Sequence, residues 1–187
     1  ELDGDRKVTL EEIAVKGTCG NNVNLQASAT RSSKISPPPF MVGMAEVEID
    51  KETGSLELLD YVAVVDCGTP INPNLARVQT EGGIGQGIGM ALYEDIQYNE
   101  KGQLRNNSFM QYKIPTRQDV GKIRVEFAPS YEKSHPFGAK SIGEIVINTP
   151  CPAIANAVDH AVGVRIREMP ITAEKIAMEL LKRQENK

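Results

Sequence analysis

Histidine and cysteine are scarce in this chain. Its 187 residues include two histidines, His135 and His160, and three cysteines, Cys19, Cys67 and Cys151, all far apart. No CxxC or HxxxH spacing occurs, which argues against a structural zinc site or an iron–sulfur cluster and leaves no metal ligands to name. An odd, sparse cysteine count fits reduced cytoplasmic thiols rather than a disulfide scaffold. Positive charge is short as well: 21 Lys and Arg against 25 Asp and Glu leave a net charge of −4 at pH 7. Without a basic stripe to follow a phosphate backbone, a nucleic-acid partner is not expected. No apolar run approaches the roughly 18 residues of a membrane helix, so no membrane partner is expected either. No signal peptide opens the chain, and residue 1 is Glu rather than Met, so the expectation is a piece of a longer polypeptide.

What is present is globular in character. Hydrophobic residues make up 40% and charged residues 25%, with 16 glycines and 11 prolines, enough for one domain or two small lobes with a real core. The opening Asp3-Gly4-Asp5 with Glu12 partly imitates a calcium loop, but Arg6 stands where that loop needs glycine. The better reading is an Asp3-Gly4 turn followed by Thr9 as a helix N-cap, with Glu12 completing a capping box. Residues 17–36 are rich in Asn, Ser and Thr and end at Pro37-Pro38-Pro39, which predicts an irregular segment. The chain therefore divides into an entry segment, 1–39, and a main lobe, 40–187.

Periodicity sharpens after residue 39. Two β-rich stretches, 40–50 and 55–66, flank Lys51-Glu52-Thr53-Gly54, a four-residue hairpin turn. The second contains Tyr61-Val62-Ala63-Val64-Val65 and predicts a strand buried on both faces. A helix is expected over 75–93 despite Gly82, Gly83, Gly85, Gly87 and Gly89. Each costs about 0.8–1.0 kcal/mol against alanine inside a helix, about 4–5 kcal/mol together. Something must require a close backbone there, either a packed neighbour or a bound cofactor. Further on, the pattern predicts a hairpin around 97–104, a strand over 123–127, and a helix capped by Thr149 that stops before Gly163. A short strand over 164–167 and a helix over 173–184 after Thr172 complete the reading. Strands mixed with helices, without strict βαβ alternation, predict an α+β (mixed α/β) fold with helices packed on a mixed sheet.

Two segments carry candidate chemistry. Gly83-Ile84-Gly85-Gln86-Gly87-Ile88-Gly89 fails the dinucleotide fingerprint, because Met90 follows Gly89 and Pro70 and Pro73 interrupt any strand upstream. It equally lacks the Gly-Lys-Ser/Thr of a P-loop. Its glycines serve either helix packing or the approach of backbone amides to a ligand edge. Gln79 and Gln86 lie seven apart and share a helix face, as ligands to a polar heterocycle or as plain surface residues. The second segment, His135-Pro136-Phe137-Gly138-Ala139-Lys140-Ser141-Ile142-Gly143-Glu144, crowds small residues around one carboxylate ahead of Ile145-Val146-Ile147. A carboxylate desolvated by that run would be a general base near neutral pH; one pointing to water would be ordinary. His135, between Ser134 and Pro136, reads as a loop histidine.

Several of these motifs, in order, resemble the molybdenum hydroxylases, the xanthine dehydrogenase and aldehyde oxidoreductase family. They are Asp66-Cys67-Gly68-Thr69-Pro70-Ile71-Asn72-Pro73, the run from Gln79 to Gly89, and Ser108-Phe109-Met110-Gln111-Tyr112-Lys113-Ile114-Pro115-Thr116. The stretch from Gly138 to Glu144 and Pro152-Ala153-Ile154-Ala155-Asn156-Ala157-Val158 with Gly163-Val164-Arg165-Ile166 complete the match. The resemblance implies the C-terminal part of a molybdopterin-binding catalytic subunit, with molybdenum held by the pterin dithiolene rather than by protein side chains. It implies Glu144 as the general base activating a molybdenum-bound hydroxide, and a small-molecule substrate: a purine, another N-heterocycle or an aldehyde. It implies Gln79, Gly82, Gly83 and Gln86 beside the cofactor, with Ala139, Lys140, Ser141 and Gly143 offering backbone amides. The rest of the subunit, with iron–sulfur and flavin (FAD) modules on other domains or subunits, would be the partners. Ile145-Val146-Ile147 departs from the family, which usually places proline or leucine soon after the glutamate. On this reading the isolated chain has no turnover; the alternative is a non-catalytic assembly domain.

Overall fold

The computed structural model describes residues 7–20, 26–30 and 32–185. The Asp3-Gly4 turn of the opening segment lies outside them. Two units are distinguished, Glu1–Lys34 and Ile35–Lys187. In the first, helix α1 spans Leu10–Gly20. Thr9 and Glu12 close the capping box reciprocally: Glu12 N donates to Thr9 Oγ1 at 3.1 Å and Thr9 N donates to the Glu12 carboxylate at 3.0 Å. The helix runs through residues 17–20, where an irregular segment was expected. Nothing in Lys16-Gly17-Thr18-Cys19 breaks it, and its described span reaches Gly20.

The second unit is built on a three-stranded mixed sheet of β1 (Phe40–Ile49), β2 (Leu56–Asp66) and β3 (Lys122–Phe127), with β2 central. β1 and β2 form the expected hairpin, antiparallel, and Gly54 takes φ +74° in its turn. β3 joins β2 in parallel, so the connection must cross over, and helix α2 (Pro73–Leu92) lies within it. Helices α3 (Pro150–Val162) and α4 (Ala173–Glu185) complete the α+β architecture.

β2 is not buried on both faces. Leu58, Tyr61, Ala63 and Val65 point into the core, whereas Leu59 and Val64 are exposed. The run is apolar throughout, but among the described residues of this unit only one face of the sheet is covered. The core gathers those inward residues with Ile84, Ile88 and Ala91 of α2, Ile154 and Val158 of α3, Val125 of β3 and Ile176 of α4. Tyr61 is fully buried and donates its hydroxyl to Thr149 Oγ1 at 2.8 Å. Gly43 on the neighbouring strand leaves room for that hydroxyl, since a Cβ there would overlap it. Thr149 thus stands at the N-cap position of α3, yet its side chain serves the sheet rather than the helix. Residues 164–167 form no strand. Val164 and Ile166 are buried while Arg165 and Arg167 are exposed, so the strand-like alternation comes from packing an extended segment on the core without a ladder.

The glycines of α2 divide into two groups. A Cβ on Gly83 would overlap Val146, one on Gly87 would meet Pro150, and one on Gly89 would meet Glu94 and Pro115. Those three admit close packing. Around Gly82 and Gly85 an added Cβ would meet nothing within 4 Å.

Candidate functional site

The site is assembled where β2 ends. Asp66 closes the strand, and Gly68 turns the chain at φ +67°, where a Cβ would overlap the Gly138 carbonyl. The turn is stitched to a distant loop: Thr69 N donates to Gly138 O at 2.8 Å and Lys140 N donates to Cys67 O at 2.7 Å. Side chains reinforce the join. The Asp66 carboxylate accepts from Lys140 Nζ at 2.6 Å, from Ser130 Oγ and from the Gly68 amide. The Lys140 ammonium, and after it the Ser130 hydroxyl, hold the Asp66 carboxyl down at about 2. The same ammonium sits 5.3 Å from the ring centroid of Phe40, the cross-strand partner of Asp66.

Beyond the turn, Asn72 caps α2 by accepting from Leu75 N at 3.1 Å, and Pro73 occupies the first turn. Between this end of α2 and residues 139–143 lies an open groove of about 480 Å³, lined by Cys67, Leu75, Gln79, Ala139, Lys140 and Gly143 among others. Burial pushes the Cys67 thiol up, so it lines the groove as a neutral group. Gln79 spans the groove, donating Nε2 to Gly143 O at 2.9 Å. Glu144 follows directly and opens the short 3₁₀ turn Ile145–Ile147. Val146 in that turn is fully buried beneath Gly83.

Of the residues singled out from sequence, Gln79, Ala139, Lys140 and Gly143 therefore surround one groove, and Glu144 follows the lining residue Gly143 in the chain without lining the groove itself. Gly82 faces open space on the same helix. Gly83 is turned inward, and Gln86 and Ser141 are exposed away from the groove lining. Of the two readings left open for Glu144, the structure shows the exposed one, because the apolar run coils and sends Val146 inward. The amides of Ala139 and Lys140 are already taken by Pro136 O and Cys67 O, so they are not free to meet a ligand. Among the described residues, the amides of Ser141 and Gly143 have no protein acceptor. The Asp66–Lys140–Ser130 cluster was missed, although Asp66 and Lys140 both belong to quoted motifs. Nothing local signals a pairing across 74 positions. Among the described residues no three His, Cys, Asp or Glu side chains gather to hold a metal ion, and no helix is long and apolar enough to cross a membrane.

Fold and groove define an α+β lobe with an open groove beside the start of α2. Residues 1–121 match the molybdopterin cofactor-binding domain. The chain is 37% identical over 180 residues to the probable hypoxanthine oxidase XdhD of Escherichia coli (strain K12), covering 94% of this chain and 19% of that protein. It is 35% identical over 182 residues to the 6-hydroxypseudooxynicotine dehydrogenase complex subunit gamma of Paenarthrobacter nicotinovorans, covering 92% and 23%. Its fold resembles quinoline 2-oxidoreductase from Pseudomonas putida 86, with a TM-score of 0.70, 38% identity, and coverage of 74% of this chain and 18% of that one. The chain belongs to the molybdopterin cofactor-binding domain family, and its fold is that of the molybdenum hydroxylases. It spans about a fifth of the length of the curated relatives it matches, 19% of the first and 23% of the second. The loop 139–144 lies beyond the 1–121 span of the domain match, within the longer similarity to whole subunits.

Proposed function

We propose that this chain forms the base-bearing wall of a molybdopterin site in a molybdenum hydroxylase that oxidises an N-heterocycle or an aldehyde. The observation that carries the reading is the Gln79–Gly143 hydrogen bond, which places the residue before Glu144 against α2 at the mouth of the groove. The residues present fit such a group in two respects. Gly82 and Gly85 leave α2 bare on an open face, and the amide of Gly143, which lines the groove, has no acceptor among the described residues. Gln79, Gly82 and the Gly143 amide would hold the pterin edge. When bound, that cofactor supplies the two-electron acceptor for hydroxylating an electron-poor carbon. Glu144, exposed and next in the chain to the lining residue Gly143, takes up the proton released as a water-derived oxygen joins the substrate carbon. Lys140, neutralised by Asp66, leaves the carboxylate of Glu144 without a competing cation from its own loop.

The partners on this reading are the remainder of the molybdenum subunit and iron–sulfur and flavin modules elsewhere in the complex. Support comes from relatives named as complex subunits, the subunit gamma above and the carbon monoxide dehydrogenase large chain of Afipia carboxidovorans. Co-purification of the complete protein tests this, with molybdenum, pterin fluorescence and native mass read together. Stoichiometric molybdenum in an assembly larger than one subunit is expected; a metal-free, lone polypeptide would overturn it. The isolated 187-residue chain is expected to show no turnover.

A second reading, a non-catalytic assembly domain, rests on one observation. The open face of the sheet carries Phe40, Val42 and Met44, each 60% exposed or more, beside Val64. That reading predicts turnover indifferent to the Glu144 carboxylate.

A further inference from the structure

We propose that Asp66 and Lys140 are positioning residues: their ion pair fixes the loop 139–143, and through it the placement of Glu144, while the Lys140 charge is held by the protein rather than offered to an anionic ligand. The inference rests on the reading of Glu144 as the base, and extends it to residues that do not touch the reacting atoms.

Three observations carry it. First, the Lys140 ammonium is engaged and largely buried. Lys140 Nζ lies 2.6 Å from Asp66 Oδ2 with its side chain only 10% exposed, and the Phe40 ring flanks it. An ammonium so placed has little surface left for a ligand phosphate. Second, Asp66 joins its own turn to the segment after β3 and to the loop, 64 and 74 positions away. Its carboxylate takes the Gly68 amide of the turn after β2, the Ser130 hydroxyl after β3, and Lys140 of the loop. The backbone bonds Thr69 N to Gly138 O and Lys140 N to Cys67 O run alongside, so the ion pair locks the same seam. Third, the loop is held at both ends. Asp66 fixes residue 140 and Gln79 fixes residue 143, which leaves Ser141 and Ile142 between the tethers and Glu144 just beyond the second. Among the described residues no hydrogen bond or ion pair joins Asp66 or Lys140 to Glu144, so the pair acts on Glu144 through the backbone of the loop.

The test uses the complete, molybdenum-loaded enzyme carrying Asp66→Asn, Lys140→Met, both together, or Lys140→Arg. Turnover per bound molybdenum, KM, cofactor content and hydrogen exchange of the 139–144 amides are measured. The expected result is a fall in kcat of about 10- to 100-fold for each single variant, as for a small misplacement of a catalytic group. KM and cofactor content stay within about twofold, and the loop amides exchange about 10-fold faster or more. The double variant is no worse than either single one, because both remove one interaction, and Lys140→Arg recovers most of the turnover. Unchanged kcat per molybdenum with only lowered thermal stability would reduce the pair to a structural ion pair and overturn the proposal. Loss of cofactor in Lys140→Met but not in Asp66→Asn would overturn it differently, by making Lys140 a ligand contact. Glu144→Gln, measured beside them, separates the two readings. If it retains turnover while Lys140→Met still loosens the loop, the assignment of the base fails and the tether stands.

Discussion

Replacing Gly82 and Gly83 by alanine, one at a time, separates the two reasons a helix can carry glycine. Both lie inside α2, where glycine costs about 0.8–1.0 kcal/mol against alanine. At Gly82 the new methyl group would meet nothing within 4 Å, so Gly82→Ala should recover that amount in full. For a domain of this size that raises the melting temperature by about 2–4 °C. At Gly83 the methyl would overlap the fully buried Val146 side chain, and overpacking costs about 1–3 kcal/mol. The helical gain offsets part of this, so Gly83→Ala should fall between neutral and about 2 kcal/mol less stable. Urea unfolding of the 187-residue chain followed by circular dichroism measures both. The functional arm uses the complete enzyme. If Gly82 is bare so that the cofactor can approach, Gly82→Ala gives a more stable chain that binds less molybdopterin. A stabilised variant with full cofactor content would refute that reason for the glycine. Equal stabilisation by both alanines would refute the packing account of Gly83.

Two further predictions concern the frame of the site. Tyr61→Phe removes the hydroxyl that donates to Thr149 Oγ1 and should cost about 1–2 kcal/mol in urea unfolding, since Thr149 is left without its donor; no loss would mean that water replaces the bond. Asp66 titrates at about 2 in the folded protein against an ordinary 3.8. Its pair with Lys140 therefore contributes stability that is fully present above about pH 4 and is lost as pH falls toward 2. The shift alone corresponds to about 2.4 kcal/mol, reduced by solvent screening to about 1 kcal/mol. Asp66→Asn should accordingly flatten acid unfolding between those limits while leaving the pH 5–8 range parallel to the unmodified chain; a change confined to neutral pH would contradict the assignment.

Local chemistry made much of the frame legible. The β1–β2 turn, the Thr9–Glu12 box, Pro150 after Thr149 and Gly163 at φ +71° each depend on neighbours within a few positions, and each stands where the spacing placed it. What failed depends on the rest of the fold. The apolar run of β2 says nothing of how many faces are covered, and the alternation at 164–167 reports burial without saying whether a strand lies alongside. Glu144 beside Ile145-Val146-Ile147 leaves a desolvated and a water-facing carboxylate both open in the sequence, because adjacency does not aim a side chain; the turn separates carboxylate from core. For α2 the residues left two explanations of the glycines, and the structure assigns three of them to packing. The tether from Asp66 to Lys140 was not legible, because its partners meet only once β2, β3 and the loop are assembled.

The central claim is that Glu144 carries the proton in a molybdenum hydroxylase. The direct measurement is kcat/KM of the complete enzyme with Glu144→Gln, normalised to bound molybdenum. Glutamine keeps the size of the side chain and removes its basicity, so a loss of about 100- to 10,000-fold or more at full cofactor content is expected. Turnover per molybdenum equal to that of the unmodified enzyme would contradict the account and leave this lobe as scaffold.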